Sequence, residues 1–134
     1  MRINSCKLVN LPTKSDSRGN LCVVHGGSDI PFEIKRIYYS YESKNEQRGD
    51  HGHKLLQQLI IAVAGSFDVV LNDGQNERSY SLDSPAQGLY VPSMMWRHIN
   101  NFSNDAVCLV LASQVYDESD YYHSFEEFKR AAVK

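Results

Sequence analysis

Apolar and polar residues alternate over short runs along most of the 134-residue chain, and turn-forming residues interrupt them every 8 to 14 positions. A period of two sends successive side chains to opposite faces of a strand, whereas a helix needs apolar residues three and four apart. The pattern predicts an all-β fold, a sandwich or barrel. Candidate strands cover residues 7–11, 21–25, 34–41, 52–56, 59–63, 66–71, 78–82, 88–91, 97–102 and 107–113. The separators carry turn chemistry, and Asn72-Asp73-Gly74 after Val69-Val70-Leu71 is a strong hairpin signal. One helix is expected over residues 124–132. There Ser124 and Glu127 form a capping box, and Phe125, Phe128 and Ala132 share a face that would pack on the outside of the barrel.

A chain of 134 residues can bury roughly two thirds of its unfolded surface, enough for a core without metal or disulfide staples. With no repeat, linker or low-complexity tract, residues 1–134 read as one domain. The formal charge is −2, from 14 basic and 16 acidic residues, and the pI is near 6.2, so the basic field that a nucleic acid requires is missing. The longest apolar stretch, residues 59–64, is far short of the ~20 residues of a membrane span. The N-terminal residues carry no apolar signal region, and a cytoplasmic location is expected. Cys6, Cys22 and Cys108 fit neither a disulfide framework nor a zinc ribbon and read as small reduced core residues.

The densest polar cluster is Arg48-Gly49-Asp50-His51-Gly52-His53, followed by Gln58 and Gly65. On a strand His51 and His53 point one way and Gly52 the other, so two imidazoles enter one cavity. The spacing H-x-H, four residues, Gln, six residues, Gly matches the first motif of the cupin barrels, with Gln58 in place of the metal-binding Glu. A second cupin-like stretch holds Gly88, Pro92 and His98, with its Pro-to-His spacing one residue longer than usual. An amide is a poorer ligand than a carboxylate and supplies no compensating charge, so no bound metal is expected. Without a metal, paired histidines in a barrel mouth suit general acid and base work, because an ordinary pKa of ~6.5 lets one accept and another donate. Hydrogen-bonded histidines with no chemistry are the plain alternative.

Arg48 reads as a fork for phosphate or carboxylate, against a solvated rim charge. Arg18 lies in a second Arg-Gly turn, Asp16 to Asn20. Tyr39 and Tyr41 share one strand face and Tyr38 takes the other, and a phenol can bond sugar hydroxyls or simply fill space. Trp96 and Arg97 could form a stacking platform or plug the barrel, and Met94-Met95 read as core. Asp117, Glu118 and Asp120 precede the helix and read as a solvated turn.

Taken together, D-x-R-G-x-L from Asp16, the run from Phe32 to Tyr39, R-G-x-H-x-H-K with Gln58, the Asn72-Asp73-Gly74 hairpin, and L-A-S-x-x-Y-D-E-S-D-Y from Leu111 resemble the sugar-nucleotide 3,4-ketoisomerases, and the likeness covers nearly the whole chain. It implies a cupin jelly-roll barrel with a short C-terminal helix, acting without a cofactor on a dTDP-linked 4-keto-6-deoxy sugar in deoxysugar synthesis for surface glycans. It further implies catalytic roles for His51, His53 and Tyr39, and substrate contacts for Arg18, Tyr38, Arg48, Gln58 and Arg97. Which of Tyr38 and Tyr39 faces the substrate stays open. His51 would carry the sugar C3 proton to C4, and Arg18 and Arg48 would hold the diphosphate. Ser17 and the Arg97-His98 pair fall where family members vary. A homodimer is implied, with N-terminal strands often exchanged. Gly52, where Ala is commoner in the family, reads as a harmless change. The alternatives are a non-catalytic sugar-nucleotide-binding cupin, a metal-dependent cupin and a dTDP-sugar 3,5-epimerase.

Overall fold

The computed structural model describes residues 2–43 and 47–133. Among them twelve strands form: β1 (Lys7–Asn10), β2 (Thr13–Asp16), β3 (Gly19–Cys22), β4 (Arg36–Tyr41), β5 (Arg48–His53), β6 (Gln58–Ala64), β7 (Phe67–Asn72), β8 (Glu77–Leu82), β9 (Gln87–Val91), β10 (Met95–Asn100), β11 (Val107–Ala112) and β12 (Tyr121–Tyr122). One helix, α1 (Phe125–Ala132), closes the described chain. Two five-stranded antiparallel sheets, ordered β1-β9-β6-β11-β4 and β12-β5-β10-β7-β8, carry the core, and β2 and β3 stand apart as a two-stranded ribbon. This is the expected all-β architecture with a C-terminal helix.

Alternation decides what each sheet face does. On β6, Ile60 and Ala62 enter the main core with Val69, Leu71, Met95 and Val110, while Leu59 and Ile61 join a second cluster with Phe32 and Tyr90. β6 is buried on both faces and therefore reads as a continuous apolar run. β4, at the end of its sheet, keeps strict alternation: Arg36, Tyr38 and Ser40 are half-buried, and Ile37, Tyr39 and Tyr41 are exposed.

The β7–β8 hairpin follows the turn signal. The Asn72 side chain accepts from the Gly74 amide at 2.7 Å, and Asp73 accepts from Gln75 and Asn76. The α1 cap forms as expected, with the Ser124 hydroxyl accepting from the Glu127 amide. Phe128 is fully buried against Trp96 and Tyr122 on the outer face of the β5–β10 pair. Trp96 therefore seats the helix on the outer face of the sheet and does not plug the barrel. Gly52 points at this same packing, where a Cβ would lie 2.9 Å from the Phe128 ring and 3.2 Å from Trp96, so Ala at this position would require the Phe128 ring or its helix to give way.

Several boundaries differ from expectation. β2 forms where no strand is expected, and β3 takes in only residues 21 and 22 of the expected 21–25 strand, because Asp16 to Gly19 close a tight hairpin with Arg18 at its tip. β5 starts at Arg48, four residues before the expected Gly52. Cys6 and Cys108 are buried, but Cys22 is exposed on the ribbon. Asp120 is buried and is no solvated turn residue: its carboxylate accepts from the Leu55 amide at 2.9 Å and the Leu56 amide at 3.3 Å. That anchor holds β12 against β5, with Tyr121 opposite His53.

Candidate active site

A cavity of about 350 Å³ opens between β4 of one sheet and β5 and β10 of the other. Arg36 and Tyr38 line it from β4, Arg48 and His51 from β5, Arg97 from β10 and Tyr121 from β12. Strand parity would put Arg48 and His51, three residues apart, on opposite faces. A β-bulge brings them together: His51 pairs with Arg97 and Arg48 with Ile99, so two residues of β5 face one of β10. Gly49 supplies the turn with φ of +65°, and its missing Cβ leaves room for the Arg97 guanidinium, which would lie 2.6 Å from it.

Arg97 is 3% exposed, and its Nη2 donates to the Tyr38 hydroxyl oxygen at 2.8 Å. With its oxygen accepting from arginine, the Tyr38 phenol keeps its own proton to donate into the cavity. The Nε atoms of Arg36 and Arg97 are buried without a partner. Among the described residues Arg36, Arg48 and Arg97 form no salt bridge, and no Asp or Glu lines the cavity. Three unneutralised guanidinium groups in one cavity call for an anionic ligand. Arg36 and Tyr121 escaped the sequence reading. Arg36 carried a usable signal, since it shares β4 parity with Tyr38, whereas Tyr121 reaches the site only through the Asp120 anchor.

The two histidines share a strand face as expected but occupy different depths. His51 lines the cavity, while His53, 2% exposed, lies behind it and does not. Their ring centroids are 4.8 Å apart at 81°, and Tyr121 meets His51 at 4.8 Å and His53 at 4.5 Å. Burial, then the nearby Arg97 and His123, pushes the His51 imidazole down to about 4, and the same kind of environment drives His53 lower still. Both are neutral at pH 7. The Cys108 thiol, also in the lining, is pushed up to about 11 by burial and is no nucleophile at neutral pH.

Three expected contacts fall elsewhere. Tyr39 touches the cavity only at its edge: it is 62% exposed, and its ring pairs with Tyr41 on the opposite face of β4. Arg18 sits at the ribbon tip, bonded to Asp16 at 2.8 Å, and does not line the His51 cavity of its own chain. Gln58 is fully buried beside His53 and is walled off from the cavity. His98 faces away from the cavity, beside Asp50 and Trp96 on the outer side of the sheet. Among the described residues no three His, Cys, Asp or Glu side chains gather where they could hold a metal ion. The Gln58 amide, buried beside His53, stands where the cupin carboxylate ligand would, so these residues do not fit the cupin metal.

Fold and cavity define a cupin-type barrel with an anion-binding pocket, a half-buried imidazole facing an arginine-rich wall. The protein family described as FdtA, WxcM-like, C-terminal matches residues 4–133, and the chain belongs to it. It is 43% identical over 129 residues, 96% of this chain and 93% of the other, to a TDP-4-oxo-6-deoxy-alpha-D-glucose-3,4-oxoisomerase of Aneurinibacillus thermoaerophilus. A 3,4-ketoisomerase structure from Helicobacter canadensis is 45% identical with a TM-score of 0.93, covering 96% of this chain and 98% of that one. A mutant of the Thermoanaerobacterium thermosaccharolyticum 3,4-ketoisomerase QdtA, in complex with TDP-4-keto-6-deoxyglucose, is 36% identical with a TM-score of 0.91, covering 95% and 93%. An epimerase from Mycobacterium tuberculosis, 16% identical with a TM-score of 0.76 and covering 91% and 70%, shares the fold alone.

Proposed function

We infer that this chain is a TDP-sugar 3,4-ketoisomerase that converts TDP-4-keto-6-deoxyglucose to a TDP-3-keto-6-deoxyhexose. The observation that carries the reading is His51, a half-buried imidazole neutral at pH 7, opening onto a cavity that holds Arg36, Arg48, Arg97 and the Tyr38 hydroxyl. The substrate's 4-keto group acidifies the C3–H bond. His51 takes that proton, and the electron pair forms a C3–C4 double bond with charge on O4. O4 gains a proton and O3 loses one, which is the work assigned to Tyr38. His51 then returns its proton to C4, leaving the ketone at C3. The sum moves two hydrogens within one sugar and is redox-neutral. A base that becomes cationic on taking the C3 proton, and neutral again on returning it, gains from a dianionic diphosphate nearby, which we assign to Arg48 and Arg36 in the cavity lining.

The working unit we propose is a homodimer. β2 and β3 are exposed on every residue, and a two-stranded ribbon standing alone is marginal in water. Beside it, the outer face of β4 and β11 forms an apolar groove lined by Cys22, Val24, Ile34, Ile37, Ile61 and Leu109. We propose that a second copy covers that face and that Arg18, at the ribbon tip and outside its own chain's cavity, serves the diphosphate bound by the other copy.

Proton NMR of TDP-4-keto-6-deoxyglucose in D2O with the protein tests the reading. A 3-keto product with deuterium at C4 is expected. Deuterium at C5 would identify an epimerase, and binding with no exchange at C3 a non-catalytic module; either result overturns the proposal. The His51→Asn variant should lose turnover while still binding TDP.

A further inference from the structure

Gln58 begins β6 in one sheet and His53 ends β5 in the other, and their side chains meet across the loop that joins them. The Gln58 amide nitrogen lies 3.4 Å from Nδ1 of His53. With the amide nitrogen turned toward Nδ1, it donates and Nδ1 accepts, which puts a neutral imidazole's single proton on Nε2; among the described residues Nε2 and the Gln58 Oε1 have no other hydrogen-bond partner. Gln58 is 1% exposed, and pairing in the β6 ladder with Val91 and Ala112 fixes where the amide sits.

We infer that Gln58 is a positioning residue: it locks His53 in the Nε2–H tautomer and so fixes the ring against which His51 stands. His53 does not line the cavity, so its effect on the reaction runs through the 4.8 Å ring contact with His51. Tyr121 closes the other side of the same trio, leaving each imidazole little room to turn. Residue type at position 58 then has a chemical reason. A carboxylate accepts only, so it would require a proton on Nδ1 and favour the imidazolium, turning the uncharged pair into an ion pair beside the base. An amide orients His53 equally well and leaves it uncharged. The tautomer assignment stands whether or not the isomerase reading holds; only the kinetic arm of the test rests on that reading.

Two-bond proton–nitrogen correlation of the full chain labelled with 15N-histidine, recorded without substrate, reads the tautomer directly. In the unmutated protein His53 should show an unprotonated-type shift at Nδ1 and a protonated-type shift at Nε2. Gln58→Leu should give a mixture of tautomers, and Gln58→Glu should move Nδ1 to the protonated type. For an orienting partner of a functional histidine, kcat in Gln58→Leu should fall about 10- to 100-fold with KM little changed. A protonated Nδ1 in the unmutated protein would overturn the assignment even if neither variant folds. A tautomer unmoved by both substitutions would do the same, and an unchanged kcat alongside a changed tautomer would break the link to His51.

Discussion

Tyr38 and Tyr39 are adjacent and chemically identical, yet β4 sends one into the cavity and the other to the outside. The proposed role in O3–O4 proton movement therefore belongs to Tyr38, held by Arg97, and not to the catalytic Tyr39 of the sequence reading. Tyr38→Phe should lower kcat roughly 100-fold, the low end for general acid–base groups, and Tyr39→Phe should leave it unchanged; steady-state conversion followed by NMR compares the two. His51 makes a pH prediction with a definite sign. It acts as a base only when neutral, and its pKa lies at about 4, so kcat/KM should rise with pH through about 4 and be flat across neutrality. Removing the Arg97 charge by Arg97→Gln should move this acid limb upward. A limb near the ordinary histidine value in the unmutated protein would contradict the burial that sets it.

At the scale of elements, the bulge in β5 does most to build the site, because it overrides strand parity and puts Arg48 on the face of His51. Gly49→Ala meets two obstacles, a left-handed φ worth roughly 1–2 kcal/mol to a residue with a Cβ and the Arg97 guanidinium 2.6 Å away. Thermal melts should show that loss. Because the displaced Arg97 releases Tyr38, kcat should fall alongside stability, whereas a surface glycine such as Gly27, whose Cβ would meet nothing within 4 Å, should cost stability alone. The β12 segment is the other constructed element. It is two residues long and stays in place through the buried Asp120 carboxylate, which explains how Tyr121 reaches two histidines so distant in sequence.

For the whole molecule, burying neutral histidines links folding to pH. The folded His51 pKa is about 4 against an ordinary 6.5, so the unfolded chain binds the proton more readily between those values. That contribution is fully present above pH 6.5 and is lost as pH falls toward 4. Urea denaturation across this interval should show falling stability in the unmutated protein, and a smaller fall in His51→Gln. Assembly is tested at the same scale. Ile37 is 59% exposed on the outer face of β4, and Ile37→Asp should convert a dimer into a monomer by light scattering while leaving the His51 cavity of each chain intact. If Arg18 serves a neighbouring cavity, that monomer should also bind TDP more weakly. A monomeric unmutated protein would remove the dimer and with it the role of Arg18.

Much of this was legible along the chain. Alternation specifies strands and their faces locally, so the all-β class, the shared face of His51 and His53, the Asn72-Asp73-Gly74 hairpin and the capped helix could all be read without a structure. Gln58 could be recognised as a departure from a metal ligand, because ligand chemistry is a property of the residue. Depth, register and long-range contact could not. Whether His53 lies beside or behind His51, whether Gln58 meets substrate or imidazole, and whether Asp120 is solvated depend on which strands pair. The bulge at Gly49 shows why: a single extra residue reverses the parity on which facing is read, and only the pairing of β5 with β10 reveals it.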